Sequence, residues 1–532
     1  MSANNSQGIY TQLPQSLSDS DSEHEINDLK EVQPGQRLHR THTNGQPNHH
    51  HHLQFNLPQH VVHRVDKKWP KGFRTMSPAR RLAFIASILV CILVIVIFLW
   101  VLPCSAHGTC PTRIGSWKVE HEGIELRGRI NVINGRYKKS VNLALLAKKS
   151  LNSNYDGSST SGAIALKSAT GQISWFLPQV RTPSEMVCDL IDVNEDSVDD
   201  CLLLSEMGLQ ALDALSGVVI WHGHNTKMII SNMDFPILLP DLNKDNLNEL
   251  LSVTDSHNAQ HNKLIIICGR TGSLLTSFTL HMCDDINDYK YDDKLVLFNC
   301  FNASHNNYYK IHVGDLQKKI VNQTFPVQAT KIQYEPQHET EYILSGHKLE
   351  VQNVGKCPDC HTNIGLVHLA KDNKRLLGWS RPRAYAMRPI PYSFKNTRKN
   401  AMYLKGHLNG FVMKLWQWTE APSVSLNGST IKRNALLEKV LLISFSDTDF
   451  QVINVSMVSI TQLCFPTGLD CQPALMQRND SLLLTDLDMD GAQELINYSS
   501  SYKCGEEDAT CHLVSRMEVV QLETEMAKLY AK

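Results

Sequence analysis

Three short acidic loops contain the residues best suited to chemistry in this chain. Each has Asp or Asn at positions 1, 3 and 5 of a nine-residue segment, Asp or Glu at position 9, and an apolar run directly after it. Calcium prefers six to eight oxygen ligands at about 2.3–2.6 Å, which such a loop can supply. The predicted calcium ligands, with the position-7 carbonyls included, are Asp192, Asn194, Asp196, Val198 and Asp200 in the first loop, Asp241, Asn243, Asp245, Leu247 and Glu249 in the second, and Asp486, Asp488, Asp490, Ala492 and Glu494 in the third.

Position 6 of each loop has to turn sharply. Gly491 suits such a turn, Asn246 adopts a left-handed conformation at modest cost, and Ser197 does so less readily. Carboxylates this close together repel one another without a cation. An EF-hand is excluded, because it needs twelve residues between flanking helices. A metal-free hairpin loop rich in Asp and Asn remains the alternative.

The spacing of the loops indicates the fold that positions them. Asp192 and Asp241 are 49 residues apart, and Asp241 and Asp486 are 245 apart, five times as far. A unit of about 40–50 residues is the size of a four-stranded propeller blade. A second marker, an apolar strand and a Thr/Ser-Gly turn before a strand ending in an aromatic residue, recurs at 164–175, 211–221 and 265–278. We therefore predict a mainly β fold, with a seven- or eight-bladed β-propeller over residues 125–525.

A membrane span is predicted at residues 82–102. These 21 residues contain no charged side chain, and at about 1.5 Å per residue the helix would cross a hydrocarbon core of about 30 Å. The alternative is a buried helix of a soluble domain. Basic residues precede the span and none follows it closely, which predicts a type II signal anchor with a cytosolic N-terminus.

The remaining segments complete the predicted organisation. Residues 1–81 are polar and are predicted to be a disordered cytosolic tail, residues 103–124 a stalk, and residues 526–532 a C-terminal tail. Tyr10 to Leu13 fits the Tyr-x-x-apolar signal that clathrin adaptors bind. The net charge of −1 argues against a general nucleic-acid binder.

Cysteines and glycosylation sequons both favour an exterior location after the span. Of 14 cysteines, none precedes residue 91 and 13 follow the span, in the near pairs 104/110, 188/201, 283/300, 357/360, 464/471 and 504/511, with Cys268 left over. Short-range disulfides are expected, although sequence does not fix connectivity. For the Cys357/Cys360 pair, a redox site or half of a zinc site is the alternative. The predicted glycosylation sites after the span are Asn302, Asn322, Asn427, Asn454, Asn479 and Asn497.

These residues resemble known families. The acidic loops leading into strands look like the FG-GAP blades of integrin alpha chains. The whole layout is similar to the single-pass proteins called family with sequence similarity 234, through the acidic-serine tail, Leu-Pro-Cys at 102–104, Leu-Pro-Asp at 239–241 and Cys-Gly-Arg-Thr-Gly at 268–272. The resemblance implies a type II glycoprotein with an extracellular propeller and no established biochemical activity.

Two classes of function remain from the sequence. The first is a non-enzymatic binding, adhesion or scaffold module, a calcium-stiffened propeller that presents a face to an unknown protein or glycan ligand at the cell surface, or in the Golgi or another secretory compartment. The second is a lumenal enzyme, either a quinoprotein-like propeller or a Golgi transferase that uses D-x-D. No nucleophile elbow, phosphate loop or H-E-x-x-H motif is present, which favours the first class.

Overall fold

A computed structural model of the protein describes most of the chain after the N-terminal tail. The described residues are 77–100, 114–135, 141–151, 160–223, 233–254, 262–302, 305–333, 341–369, 374–395, 407–419, 424–426, 429–445, 450–464, 471–478, 480–505 and 511–522. The predicted tail up to residue 76, the adaptor motif at Tyr10–Leu13 and the C-terminal tail at 526–532 lie outside them.

Helix α1 spans Pro78–Trp100 and contains most of the predicted membrane segment. It begins four residues before the predicted start. The window Pro78–Ile95 is long and apolar enough to cross a membrane, and none of it is buried in the protein. The helix therefore fits a membrane anchor.

The first half of the β structure forms four antiparallel sheets, apart from β1 (Trp117–Glu122), which joins the last sheet. Sheet 1 contains β2 (Ile124–Asn134), β3 (Val141–Lys149), β4 (Gly162–Lys167) and β5 (Ile173–Pro178). Sheet 2 contains β6 (Glu185–Ile191), β7 (Asp200–Ser205), β8 (Gly208–Leu212) and β9 (Val219–His222). Sheet 3 contains β10 (Ile237–Leu238), β11 (Leu250–Thr254), β12 (Lys263–Ile267) and β13 (Leu274–Thr279). Sheet 4 contains β14 (Asp285–Asp292), β15 (Leu295–Asn302), β16 (His305–His312) and β17 (Thr330–Ile332), and helix α2 (Val313–Val321) lies between β16 and β17 in the chain.

Three further sheets complete the described chain. Sheet 5 has β18 (Glu341–Leu344), β19 (His347–Val354), β20 (His361–His368) and β21 (Lys374–Pro382). Sheet 6 has β22 (Ala384–Ala386), β23 (Ile390–Lys395), β24 (His407–Thr419), β25 (Val424–Leu426), β26 (Ser429–Phe445), β27 (Phe450–Cys464) and β28 (Cys471–Gln472), and sheet 7 has β29 (Leu482–Thr485), β30 (Glu494–Cys504) and β31 (Cys511–Gln521), after a short 3-10 helix at Leu475–Arg478.

Strand β1 joins the two ends of the β structure. It pairs with β31 along six residues, from Trp117 opposite Val519 to Glu122 opposite Val514. The sheet order is β1-β31-β30-β29, so β1 is the fourth strand of sheet 7. This arrangement is that of a β-propeller whose last blade is completed by its first strand. It also corrects the predicted stalk at 103–124, because the part from Trp117 to Glu122 is a propeller strand.

The described chain forms seven sheets, and the size of sheet 6 explains why the spacing also allowed eight. Sheet 6 contains seven strands, two of which are the long β26 and β27. Residues 384–472 therefore build one sheet from a length of chain that would suit two ordinary blades. As a result, the second and third acidic loops are four sheets apart, not the five that the 245-residue spacing suggested.

Apolar clusters between neighbouring sheets form the core. Shared clusters join sheets 1 and 2, 2 and 3, 3 and 4, 5 and 6, 6 and 7, and 7 and 1. Within the described residues, no such cluster joins sheet 4 to sheet 5. Burying apolar side chains between sheets contributes about 25 cal/mol per Å², so these clusters hold consecutive sheets face to face.

The Gly-turn motif seen in the sequence forms a repeated contact between sheets. A tryptophan of one sheet's fourth strand packs against the turn glycine of the next sheet, and its indole N–H donates to a carbonyl of the same turn. Trp175 Nε1, for example, lies 2.9 Å from the oxygen of Ala214, and a Cβ on Gly217 would lie 2.6 Å from the Trp175 ring. The other two pairs are Trp117 with Gly171 and Trp221 with Gly272.

Candidate functional site

The three acidic loops occupy the same place in three different sheets. They connect the first strand to the second in sheet 2 (β6 to β7), sheet 3 (β10 to β11) and sheet 7 (β29 to β30). Position 9 is the first residue of β7 and β30, and Glu249 immediately precedes β11. The predicted transition from loop to strand is confirmed.

One hydrogen-bond pattern shapes all three loops. The backbone N–H groups of positions 6, 7 and 2 donate to the side chains of positions 1, 5 and 9. Position 2 is a buried apolar residue in each loop, which fixes the loop to the core. The donor–acceptor pairs are Ser197–Asp192 at 2.7 Å, Val198–Asp196 at 2.9 Å and Val193–Asp200 at 2.9 Å; Asn246–Asp241 at 3.0 Å, Leu247–Asp245 at 2.9 Å and Leu242–Glu249 at 2.6 Å; and Gly491–Asp486, Ala492–Asp490 and Leu487–Glu494, each at 2.9 Å.

The predicted sharp turn at position 6 is confirmed in every loop. Ser197 and Asn246 both have φ of 70°, and Gly491 has φ of 86°. Position 4 is also left-handed, which the sequence analysis did not predict: the φ values are 59° at Glu195, 69° at Lys244 and 59° at Met489. A non-glycine residue with positive φ is uncommon. The first and second loops therefore accept backbone strain at two positions, and the third loop, with Gly491 at position 6, accepts it at one.

The third loop contains a buried carboxylate oxygen without a hydrogen-bond partner. Glu494 is fully buried; its Oε2 accepts from the Leu487 N–H at 2.9 Å, while its Oε1 has no partner. Carboxylate oxygens of Asp486, Asp488 and Glu494 lie within 4.8 Å of one another. Burial, together with the neighbouring aspartates, raises the pKa of Glu494 to about 7, even though the Leu487 N–H opposes the shift.

The third loop also contacts the chain just before the closing strand. Asp488 Oδ2 accepts a hydrogen bond from the backbone N–H of Ile114 at 2.7 Å. Ile114 is buried in the cluster that contains Leu487, the position-2 residue of this loop. The third loop is therefore connected to the segment that leads into β1.

The second loop repeats the buried glutamate and adds a sulfur atom. Glu249 is fully buried, Oε2 accepts from the Leu242 N–H at 2.6 Å, and Oε1 has no partner. Oxygens of Asp241, Asp245 and Glu249 lie within 4.8 Å of one another. Burial raises the pKa of Glu249 to about 7, with the Leu242 N–H opposing and the Asp241 charge assisting the shift. The thiol of Cys268 donates to Asp245 Oδ2 at 3.1 Å.

The first loop differs because Asp200 at position 9 uses both oxygens internally. Oδ2 accepts from the N–H groups of Val193 at 2.9 Å and Asn194 at 3.2 Å, and Oδ1 accepts from the Ala214 N–H at 3.3 Å. Within the described chain, only the second and third loops bring three carboxylates within 4.8 Å. The geometry of the first loop therefore supports a cation site less than that of the other two loops, and calcium binding by its ligands stays a prediction.

An arginine connects the first and second loops. Arg270 donates to the carboxylate of Glu195 in the first loop and to the backbone oxygen of Asp245 in the second loop at 3.0 Å. Neither this contact nor that of Cys268 was predicted. The unpaired thirteenth cysteine after the span was the available signal, since an odd cysteine in an exterior domain calls for an explanation.

Five of the predicted near pairs of cysteines are disulfide-bonded. Cys188–Cys201 brackets the first loop, and Cys357–Cys360 closes a C-x-x-C segment, so the zinc alternative for this pair is wrong. The other three disulfides are Cys283–Cys300, Cys464–Cys471 and Cys504–Cys511. The pair 104/110 lies outside the described residues, and Cys268 is a buried free thiol.

The predicted glycosylation sites differ in accessibility. Asn322, at the end of α2, and Asn454, in β27, are exposed. Asn497 is only 2% exposed and its Nδ2 donates to Glu518 at 2.9 Å, so the folded sheet leaves no room for a glycan there and we remove it from the predicted acceptors. Asn427 and Asn479 lie outside the described residues, as does the side chain of Asn302.

Comparison with known proteins matches part of the chain to one family. Residues 148–307 match the family model described as the FAM234A/B beta-propeller. The match covers 160 of the 532 residues and supports the assignment to the FAM234 family. The matched region runs from the end of β3 through the first and second acidic loops and into β16.

Solved structures that are similar to this chain have low sequence identity to it. BamB from Moraxella catarrhalis is 10% identical, with 74% of this chain and 82% of that chain covered and a TM-score of 0.24. Kuenenia stuttgartiensis hydrazine synthase is 8% identical, with 51% and 81% covered and a TM-score of 0.23. A BBS1N chain in complex with ARL6DN, soaked with lead, is 12% identical, with 63% and 99% covered and a TM-score of 0.26. No curated protein matches the chain. TM-scores this low carry no argument about function.

Proposed function

We propose that this protein is a single-pass type II membrane glycoprotein whose exterior propeller binds calcium and serves as a binding or scaffold module for a protein or glycan ligand. The observation that carries the cation part is Glu494: a fully buried carboxylate with one oxygen unpartnered, within 4.8 Å of two further carboxylates. A buried charge without a partner costs several kcal/mol. A divalent cation in the loop removes that cost and supplies the missing partner.

The ligand types favour calcium at the third loop. Asp486, Asp488, Asp490 and Glu494 offer carboxylate oxygens, and the Ala492 carbonyl remains a predicted fifth ligand. Hard cations such as calcium bind oxygen ligands in flexible arrangements of six to eight. The loop backbone holds the carboxylates at positions 1, 5 and 9 through three N–H donors at 2.9 Å, so little reorganisation is needed when the ion enters.

A scaffold role is supported by how the D-x-D residues are used. Asp486 and Asp490 each accept backbone N–H groups of their own loop, which gives them a structural role in a turn. A transferase would need such carboxylates to face a sugar nucleotide. We therefore propose a non-enzymatic function, with the ligand-binding surface outside the loops and Tyr10–Leu13 as a trafficking signal for clathrin adaptors.

The orientation follows from the flanking charges and the disulfides. Helix α1 is preceded by basic residues, and five disulfides lie after it. Disulfides persist in oxidising compartments, so we propose that the propeller is exterior, at the cell surface or in the Golgi or another secretory compartment.

The test uses the full-length protein in detergent, stripped of metal with a chelator. Calcium should bind with a stoichiometry that falls by one in the Glu494→Gln variant, and it should raise the melting temperature. Unchanged binding in that variant would overturn the calcium site. Turnover of a sugar nucleotide or an alcohol by the same preparation would overturn the non-enzymatic proposal. Proximity labelling from the propeller in intact cells would then identify exterior partners.

A further inference from the structure

The second loop contains a feature that the third loop lacks, the thiol of Cys268. This residue directly follows β12 and is 4% exposed. Its Sγ lies 3.1 Å from Asp245 Oδ2, and the Asn243 amide donates to the same Asp245 oxygen at 2.8 Å and to the sulfur at 3.6 Å. The sulfur is therefore part of the shell of polar atoms around the second loop.

The equivalent residue in sheet 2 shows that this position faces the acidic loop. Asp213 precedes Gly217 by four residues, as Cys268 precedes Gly272. Its Oδ2 accepts from the Asn194 amide at 3.3 Å, in the same way that the Cys268 sulfur contacts Asn243. An oxygen in one sheet and a sulfur in the next thus occupy the same place beside position 3 of the loop.

An independent observation indicates that the second loop holds a cation. Glu249 is fully buried, its Oε1 has no hydrogen-bond partner, and an oxygen of its carboxylate lies within 4.8 Å of oxygens of Asp241 and Asp245. A buried carboxylate among other carboxylates is stable only when a proton or a cation neutralises it. The loop therefore combines hard oxygen ligands with one soft sulfur.

We propose that the second loop binds a borderline metal ion of the zinc class through Asp241, Asp245, Glu249 and Cys268, whereas the third loop takes calcium. This inference rests on the proposed function, that the acidic loops hold divalent cations. Zinc accepts a tetrahedral set of sulfur and carboxylate ligands, and calcium does not favour sulfur. On binding, the thiol proton, now donated to Asp245, passes to solvent, and the sulfur and the carboxylate oxygens bond to the metal.

The present distance suits this change. Bonds of about 2.3 Å to sulfur and about 2.0–2.2 Å to oxygen, at a tetrahedral angle, place the two ligand atoms about 3.5 Å apart. The Cys268 sulfur and the Asp245 oxygen are already 3.1 Å apart. The sulfur does not belong to the group formed by Asp241, Asp245 and Glu249, whose oxygens all lie within 4.8 Å of one another. The Cys268 side chain must therefore also move towards Asp241 and Glu249 when the ion enters.

Cadmium and zinc test the proposal on the full-length protein in detergent. Cadmium should give a sulfur-to-metal absorption band in the near ultraviolet, in a difference spectrum against Cys268→Ser that removes any contribution from Cys91. Zinc should bind the unmodified protein more tightly than Cys268→Ser by more than about 100-fold, beyond the range of about 10–100-fold that is typical of an outer-shell residue. Excess calcium should not displace it.

The Cys268→Asp variant is the matched control, because it gives the second loop the oxygen that Asp213 provides in sheet 2. It should lose the cadmium band and gain calcium affinity at this loop. Equal zinc affinity in the unmodified protein and in Cys268→Ser would overturn this inference, while calcium binding that depends on Glu494 would leave the proposed function intact. Absence of both calcium and zinc binding would overturn the two together. Retained calcium binding at the third loop shows that each variant is folded.

Discussion

Replacing Glu494 by Gln should make the protein more stable in chelator but unresponsive to calcium at the third loop. Gln keeps an oxygen that can accept the Leu487 N–H and removes the buried negative charge. In chelator, the buried charge of Glu494 lowers the free energy of unfolding, because the Glu494 Oε1 has no partner. In calcium the same charge binds the ion. The substitution therefore distinguishes two roles for Glu494. Loss of a purely structural glutamate would destabilise the protein both in chelator and in calcium, whereas loss of a metal ligand would remove only the stabilisation by calcium.

The magnitude follows from the pKa of Glu494. Its folded-state pKa is about 7, against 4.5 for the unperturbed carboxyl, so the cost of the charge is absent below pH 4.5 and complete above pH 7. At 1.36 kcal/mol per pKa unit this is about 3 kcal/mol. A propeller of about 400 residues has an unfolding entropy near 0.8 kcal/mol/K, so Glu494→Gln should melt about 4 °C higher in chelator at pH 8.

Calcium should reverse this difference. At 100 times its dissociation constant, the ion stabilises the unmodified protein by about 2.7 kcal/mol, and at 1,000 times by about 4.1 kcal/mol. The unmodified protein should therefore gain about 3 °C at the lower concentration and melt above Glu494→Gln at the higher one. Differential scanning fluorimetry of the full-length protein in detergent across a calcium series measures both curves.

The first loop provides the control for this experiment. Asp200 occupies the same position as Glu494, but both of its oxygens accept backbone N–H groups. Asp200→Asn places an amide against those donors and should lower the melting temperature equally with and without calcium. If Glu494→Gln behaves in the same way as Asp200→Asn, the reasoning from the unpartnered oxygen is refuted.

Three further predictions concern pH, packing and glycosylation. In chelator, the melting temperature should fall as pH rises from 4.5 to 7. The raised pKa of the two buried glutamates means that the folded state binds protons more tightly than the unfolded state. Calcium should flatten this pH dependence, and a melting temperature that does not change with pH in chelator would contradict the prediction. Gly217→Ala should lower the free energy of unfolding by about 3 kcal/mol, since a Cβ there lies 2.6 Å from the Trp175 ring. Gly346→Ala, with a similar left-handed φ and nothing within 4 Å, should lower it by about 1 kcal/mol. Thermal melts that rank the two variants in the opposite order would refute the packing argument. On gels of protein made in mammalian cells, Asn322→Gln should remove one glycan-sized mass step, and Asn497→Gln should remove none.

The sequence predicted those parts of the site that local chemistry fixes. The sharp turn at position 6 and the transition into a strand are both local, and both are confirmed. The assignment of the acidic positions as calcium ligands stays a prediction. The number of sheets was less certain, because a count of 49-residue units assumes equal blades. Sheet 6 contains strands of 17 and 15 residues, and no periodic argument reveals that two predicted units merge into one sheet.

The differences among the loops depend on contacts between distant parts of the chain. Position 9 is acidic in all three loops. Asp200 has hydrogen-bond donors at both oxygens, whereas Glu249 and Glu494, which are one methylene longer, each keep one oxygen without a partner. Cys268 is 23 residues from Asp245, and Ile114 is 374 residues from Asp488. Such contacts arise only when the sheets are assembled, which is why the sequence could not rank the loops.

The closing strand has a mechanical consequence. β1 is the outermost strand of sheet 7, and the chain runs from it back to helix α1 with no other described strand between them. Any tension that reaches the propeller along this chain is first carried by the Ile114–Asp488 hydrogen bond and by the six residue pairs between β1 and β31. A pulling force on helix α1 would therefore act on the β1–β31 pairing that closes the propeller. An ion bound by Asp488 would strengthen this closure against the force.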